Sequence, residues 1–145
     1  MRRGFTLITA IIFMVLVASI AALSLSFSSF STKQTTDLYL REQAELLVQS
    51  GTEFALLAIS GHDINATSNC INSIISQYPT TAAPLFDINI TINYMGSGLP
   101  AGCNILSNAV VTSDSNITVI IDTIVEDHNI STEPIRLHRR TIQKP

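Results

Sequence analysis

The sequence predicts an α+β protein: one long N-terminal helix, half of it transmembrane, packed on a small antiparallel sheet of three or four strands. Three observations lead there. From Gly4 to Thr32 there is no charged side chain. Apolar or small residues then recur on a helical period as far as Ile59, and from Leu85 the period changes to two. A length of 145 residues leaves room for one small domain beside the apolar run, and 46% hydrophobic against 13% charged residues excludes a disordered chain. Eleven acids against eight Lys and Arg leave no global basic field to hold nucleic acid. Two cysteines and three scattered histidines are too few for a structural zinc cluster. With no nucleophile motif and no phosphate loop, the expectation is a protein that is not an enzyme and carries no cofactor or metal.

The uncharged run would make a helix of roughly 43 Å, longer than the ~30 Å hydrocarbon core of a bilayer. Arg2 and Arg3 precede it and Lys33 follows, which favours a cytoplasmic N-terminus with everything beyond Lys33 translocated. Ala18-Ser19-Ile20-Ala21-Ala22 offers a secretory cleavage site, but the apolar residues continue past it through Leu23, Leu25, Phe27 and Phe30.

Met1-Arg2-Arg3-Gly4, then Phe5-Thr6-Leu7-Ile8, resembles the class III signal of type IV pilins and type II secretion pseudopilins. The resemblance implies cleavage between Gly4 and Phe5 by a prepilin peptidase, N-methylation of Phe5, and a helix that packs with those of other pilins on an inner-membrane assembly platform. The segments are then a leader at 1–4, a membrane and filament-core helix at 5–32, its amphipathic continuation at 33–60 and a periplasmic head at 61–145.

Family members usually carry glutamate at the fifth mature residue, and this chain has Thr9. A free α-ammonium buried among apolar helices is costly unless a carboxylate neutralises it, and a threonine cannot. A subunit without the acid should add poorly beneath an existing protomer yet could begin a filament; alternatively Thr9 is simply a polar residue bonded back to its own helix. Arg41-Glu42-Gln43-Ala44-Glu45-Leu46-Leu47, followed by Ser50-Gly51-Thr52-Glu53-Phe54-Ala55-Leu56, is similar to a stretch of the K-type minor pseudopilins and X-type minor pilins. K-type proteins also commonly lack the glutamate, but they are much longer than this chain.

Leu40, Ala44, Leu47, Val48, Gly51, Ala55, Ala58 and Ile59 trace one face of a helix, with Glu42, Glu45, Gln49 and Glu53 off it, and Gly61 is a plausible stop. Gly51 either admits a close backbone approach or weakens the helix. The Ser/Thr cluster from Ser24 to Thr32 marks the end of the apolar segment. A short helix is expected over Cys70, Ile71, Ile74, Ile75 and Tyr78. Strands are expected at Leu85–Tyr94, Ile105–Thr112, Ile117–Val125 and Pro134–Gln143.

Cys70 and Cys103 both fall in the translocated part, where a disulfide persists, so they are expected to pair; two free thiols are the other reading. Asn65, Asn89, Asn116 and Asn129 each begin Asn-x-Ser/Thr with an aspartate two residues before. That resembles the extended acceptor site of bacterial oligosaccharyltransferases, although the same letters also spell a wet strand face or a turn. Arg136, Arg139 and Arg140, with His138 and Lys144, form the one basic cluster. It could touch a neighbouring subunit or, in a competence-type pilin, DNA; a solvated edge strand is the plainer reading. The leading expectation is a minor pilin or pseudopilin that initiates or caps a filament used in secretion, pilus assembly or DNA uptake. A membrane-tethered domain with no filament partner is the remaining alternative.

Overall fold

The computed structural model describes residues 2–64, 70–80, 82–111, 117–128 and 130–145, and the side chains from residue 7 onward. One helix, α1 (Arg2–Ser60), is followed by five strands: β1 (Ser73–Tyr78), β2 (Phe86–Gly96), β3 (Ile105–Ser107), β4 (Ile117–Asp127) and β5 (Arg136–Gln143). The chain divides into two compact units, Met1–Leu38 and Tyr39–Pro145.

The first unit is helix alone. No Gly or Pro interrupts it between Phe5 and Leu38, and its hydroxyls join their own backbone rather than competing with it. Ser24, Ser26, Thr32, Thr35 and Thr36 each donate to the carbonyl four residues earlier, and Ser19 and Ser29 to the one three earlier. The Ser/Thr cluster therefore carries its polar groups without breaking the helix.

In the second unit the Tyr39–Ser60 part of α1 lies on one face of the sheet. Leu40, Ala44, Val48, Gly51, Ala55 and Ile59 are buried, as the periodicity predicts, while Glu42, Glu45, Gln49 and Glu53 are exposed. Leu47 and Ala58 sit at the margin, and Thr52 joins the buried face. A Cβ placed on Gly51 would lie 3.4 Å from Ile90 Cδ1 and from Thr123 Cγ2, so this glycine marks a close approach of helix to sheet. The helix closes where Gly61 N–H donates to Leu57 O.

The strands run β1-β2-β4-β5, and β3 adds to the end of β2. Successive neighbours along that path are antiparallel. Phe86, Ile88, Ile90, Ile92 and Tyr94 of β2, with Val119, Ile121, Thr123 and Val125 of β4, face the core beside α1. Asp87, Asn89, Thr91 and Asn93 alternate with them on the outer face, which no helix covers among the described residues.

Three expectations are corrected. The segment around Cys70–Tyr78 is not a helix: Ser73–Tyr78 is a strand paired with Phe86–Thr91. Its 3-1-3 spacing of apolar residues mimics a helix, but Ile74 and Ile75 point to opposite faces, one half-buried and one 78% exposed. The segment beginning at Ile105 is a three-residue strand parallel to β2, not a further antiparallel one. The sheet consequently has five strands rather than three or four.

Candidate functional site

The first candidate surface is the N-terminal half of α1. Leu7, Ile8, Ile11, Phe13, Leu25 and Phe27 are each more than half exposed, and the helix has a mean hydropathy of 2.6 over its most apolar window, long and apolar enough to cross a membrane. Large apolar side chains exposed in this density call for lipid or protein around them. Gly4 and Phe5 lie in helical backbone, though their side chains fall outside the described residues. Thr9 is exposed in the same stretch.

At the start of the sheet, Cys70 and Cys103 form a disulfide, with Cα atoms 5.0 Å apart. The bond ties the segment before β1 to the one before β3. Asn72 reinforces it: its Nδ2 donates to Gly102 O at 2.7 Å and its Oδ1 accepts from Asn104 N–H at 2.9 Å. Tyr94, fully buried, donates its hydroxyl to Ile71 O at 2.7 Å, and burial pushes that phenol up from its ordinary range. Sequence reading pointed to the two cysteines but missed Asn72, because one asparagine in a polar linker has no distinguishing context.

The basic cluster is divided by the pleat. Arg136, His138 and Arg140 occupy the outer face, where register sets them against Glu126, Ile124 and Asp122. Arg136 Nε donates to Glu126 Oε1. Asp122 Oδ1 meets Arg140 Nε at 2.7 Å and His138 Nε2 at 2.9 Å. The bond from Arg140 holds the Asp122 carboxyl below the usual carboxylate range; burial opposes this and His138 adds to it. Arg139 is on the other face, opposite Thr123, exposed and without a partner among the described residues. The sequence does not single out Asp122, one acid inside the β-branched run Ile117–Val125.

Of the four sequons, Asn65, Asn116 and Asn129 lie outside the described residues. Asn89 is exposed on the outer face of β2. The aspartates before two of the sequons have structural work. Asp87 accepts from Gln77 Nε2 at 2.8 Å and meets His128 Nδ1 at 3.1 Å; the Gln77 bond, then His128, hold its carboxyl down. Asp127 gathers Ile130 N–H, Ser131 N–H and hydroxyl, and Ile135 N–H. Burial raises its carboxyl, but these bonds, led by the Ser131 hydroxyl, outweigh that and leave it lowered.

A shallow groove of about 400 Å³ runs between α1 and β1, lined by Leu46, Leu47, Ser50, Glu53 and Tyr78 among others. Among the described residues no group of three or more His, Cys, Asp or Glu converges to hold a metal. No family, curated protein or solved structure matches this chain.

Proposed function

We propose that the protein is a minor pilin or pseudopilin, a structural subunit whose apolar N-terminal helix is shared first with the inner membrane and then with sister subunits. The observation that carries the reading is α1 itself: one unbroken helix, Arg2–Ser60, apolar and exposed through its first half and packed on a small disulfide-bonded sheet through its second. A helix exposing this much hydrocarbon needs a partner on all sides, and the work of such a protein is interfacial. The resemblance of residues 1–8 to a class III signal supports cleavage after Gly4, methylation at Phe5, a cytoplasmic N-terminus and a periplasmic head. Thr9, in place of the usual acid, supports a position at the end of the filament. The DNA-binding alternative draws less support, since Arg136 and Arg140 are engaged with acids of their own sheet.

N-terminal sequencing of protein recovered from membranes tests the reading. The expected first residue is a methylated Phe5, in material that co-purifies with pilin-like partners. A chain starting near residue 23, or one intact through Met1–Gly4, overturns it.

A further inference from the structure

The two edges of the sheet are chemically unlike. β1 has no charged residue, and five of its six residues are exposed. β5, at the opposite edge, carries Arg136, Arg139 and Arg140. An exposed, uncharged edge strand is a template for another strand, and no described strand covers β1 on its outer side.

The main-chain phase decides what each edge offers. Bonded and non-bonded pairs alternate along an antiparallel ladder. Ile92 N–H donates to Asn72 O, and Asp127 N–H to Ile135 O. Continuing the alternation, Ser73, Ile75 and Gln77 turn their N–H and C=O away from β2, and Arg136, His138, Arg140 and Ile142 turn theirs away from β4. On both edges these are the residues of the outer face. A pairing that keeps the faces in line therefore also brings the open donors and acceptors together.

Three antiparallel pairings satisfy this: β1 with β1, β5 with β5, and β1 with β5 of another copy. Both self-pairings need a two-fold axis perpendicular to the sheet, which reverses any direction lying in it. The Tyr39 ends of the two α1 segments would then point opposite ways, whereas in the proposed membrane-anchored assembly both chains continue into their apolar segments at those ends. Pairing β5 with itself also sets arginines against arginines. The mixed pairing has neither fault, because β1 and β5 already run in opposite directions within one sheet. Two copies in the same orientation meet antiparallel.

We propose that the β1 edge of one copy binds the β5 edge of the next, head to tail, with Ile75 opposite Ile142 of the next copy; this rests on the membrane-anchored assembly reading above. The register follows from what each edge leaves unsatisfied. Ile75 and Ile142 are the exposed apolar residues of their outer faces, at 78% and 65%. Ser76 then faces Thr141, whose buried hydroxyl has no partner among the described residues. Tyr78 faces Arg139, bringing an unpartnered guanidinium to an aromatic ring and to Glu53, which shares the Tyr78 groove and likewise has no partner among the described residues. The contact is heterologous, so among copies anchored in the membrane, ahead of any placement at a filament end, it extends the sheet from copy to copy rather than closing a pair.

Full-length chains bearing Ile75→Cys or Ile142→Cys, carrying different tags, are expressed together and oxidised in the membrane. Residues opposite one another in a bonded pair lie about 5.5 Å apart at Cα, within disulfide reach. The expected product joins the two tags, and a chain carrying both substitutions gives a ladder of oligomers. Arg139→Glu should lower the yield about tenfold, and adding Glu53→Lys should restore it. Ser73→Cys with Lys144→Cys tests the same register should the isoleucine variants misfold. Dimers joined through Ile75→Cys alone overturn the proposal. So does the absence of mixed dimers in protein that starts at Phe5 and co-purifies with sister copies, an outcome that leaves the filament reading standing. Loss of the apolar segment near residue 23 overturns both.

Discussion

Thr52 in α1 and Thr123 in β4 meet hydroxyl to hydroxyl at 2.9 Å, both shut off from solvent. Thr52 spends its one proton on Val48 O at 2.8 Å, so Thr123 is the donor between them. The pair sits beside Gly51, where helix and sheet approach closely. Replacing Thr52 with Val strands a buried hydroxyl on Thr123 and should cost about 1 to 3 kcal/mol, most of it recovered when Thr123→Val is added. A double-mutant cycle by urea denaturation in detergent measures this; additive losses would refute the coupling.

Gly51 sets a second limit on the same contact. Gly51→Ala meets Ile90 and Thr123 at 3.4 Å and gains helix propensity, so it should change stability by less than about 1 kcal/mol. Gly51→Leu must push the sheet away and should cost about 1 to 3 kcal/mol. Equal melting temperatures for the two variants would show that the approach is not tight.

Acid should loosen the head. The carboxyls of Asp122, Asp87 and Asp127 are held below their ordinary value in the folded chain. Each contributes stability that is complete above the unfolded-state value near ~3.9 and is lost as the pH falls through the lower folded value. The part of the stability due to these three carboxyls should therefore be constant from neutrality to about pH 5 and fall below about pH 4. Asp122→Asn should be less stable at neutral pH and show a shallower fall, read from denaturation midpoints across that range.

The Cys70–Cys103 bond spans a sequence separation of 33. Closing such a loop is worth about 3 to 4 kcal/mol on chain-entropy grounds, so Cys70→Ser with Cys103→Ser should lower the midpoint accordingly. Tyr94 and Asn72, which tie down the same corner, should become more accessible to hydrogen exchange at their amides.

Placement in the filament should follow the charge at position 9. Thr9→Glu supplies the carboxylate that the buried α-ammonium of an adjoining subunit lacks. On the proposed pilin reading, counting tagged copies per filament should then show subunits along its length, where the natural chain is expected at an end. Unchanged counts would separate Thr9 from any role in placement.

The helix and the two long strands were legible because their burial is periodic. Leu40 to Ile59 repeats at 3.6, and Ile88, Ile90, Ile92 and Tyr94 repeat at two. β1 is hidden in the sequence because its edge position leaves it half apolar on both faces, so Ile74, Ile75 and Tyr78 follow a helical spacing and not a period of two. β3 is too short to show any period, and its place beside β2 is set by Asn104, whose carbonyl accepts Tyr94 N–H and whose Nδ2 donates to Ile92 O. The cysteines announced themselves by type. Asp122 did not, since its partners His138 and Arg140 lie on another strand and only pairing brings them together.

The disulfide and Asn72 fasten β1 at its Ser73 end, and the Gln77 bond to Asp87 holds the other, so only the first end has a covalent tie. A reduced chain holds β1 by its ladder with β2, by the side chains of Asn72 and Gln77 and by the Tyr94 hydroxyl on Ile71 O. Until oxidation the Ser73 end of the strand lacks its covalent tie to the segment before β3. Where the two thiols are joined, the neutral border of the sheet is held at that corner by a covalent tie as well as by its ladder.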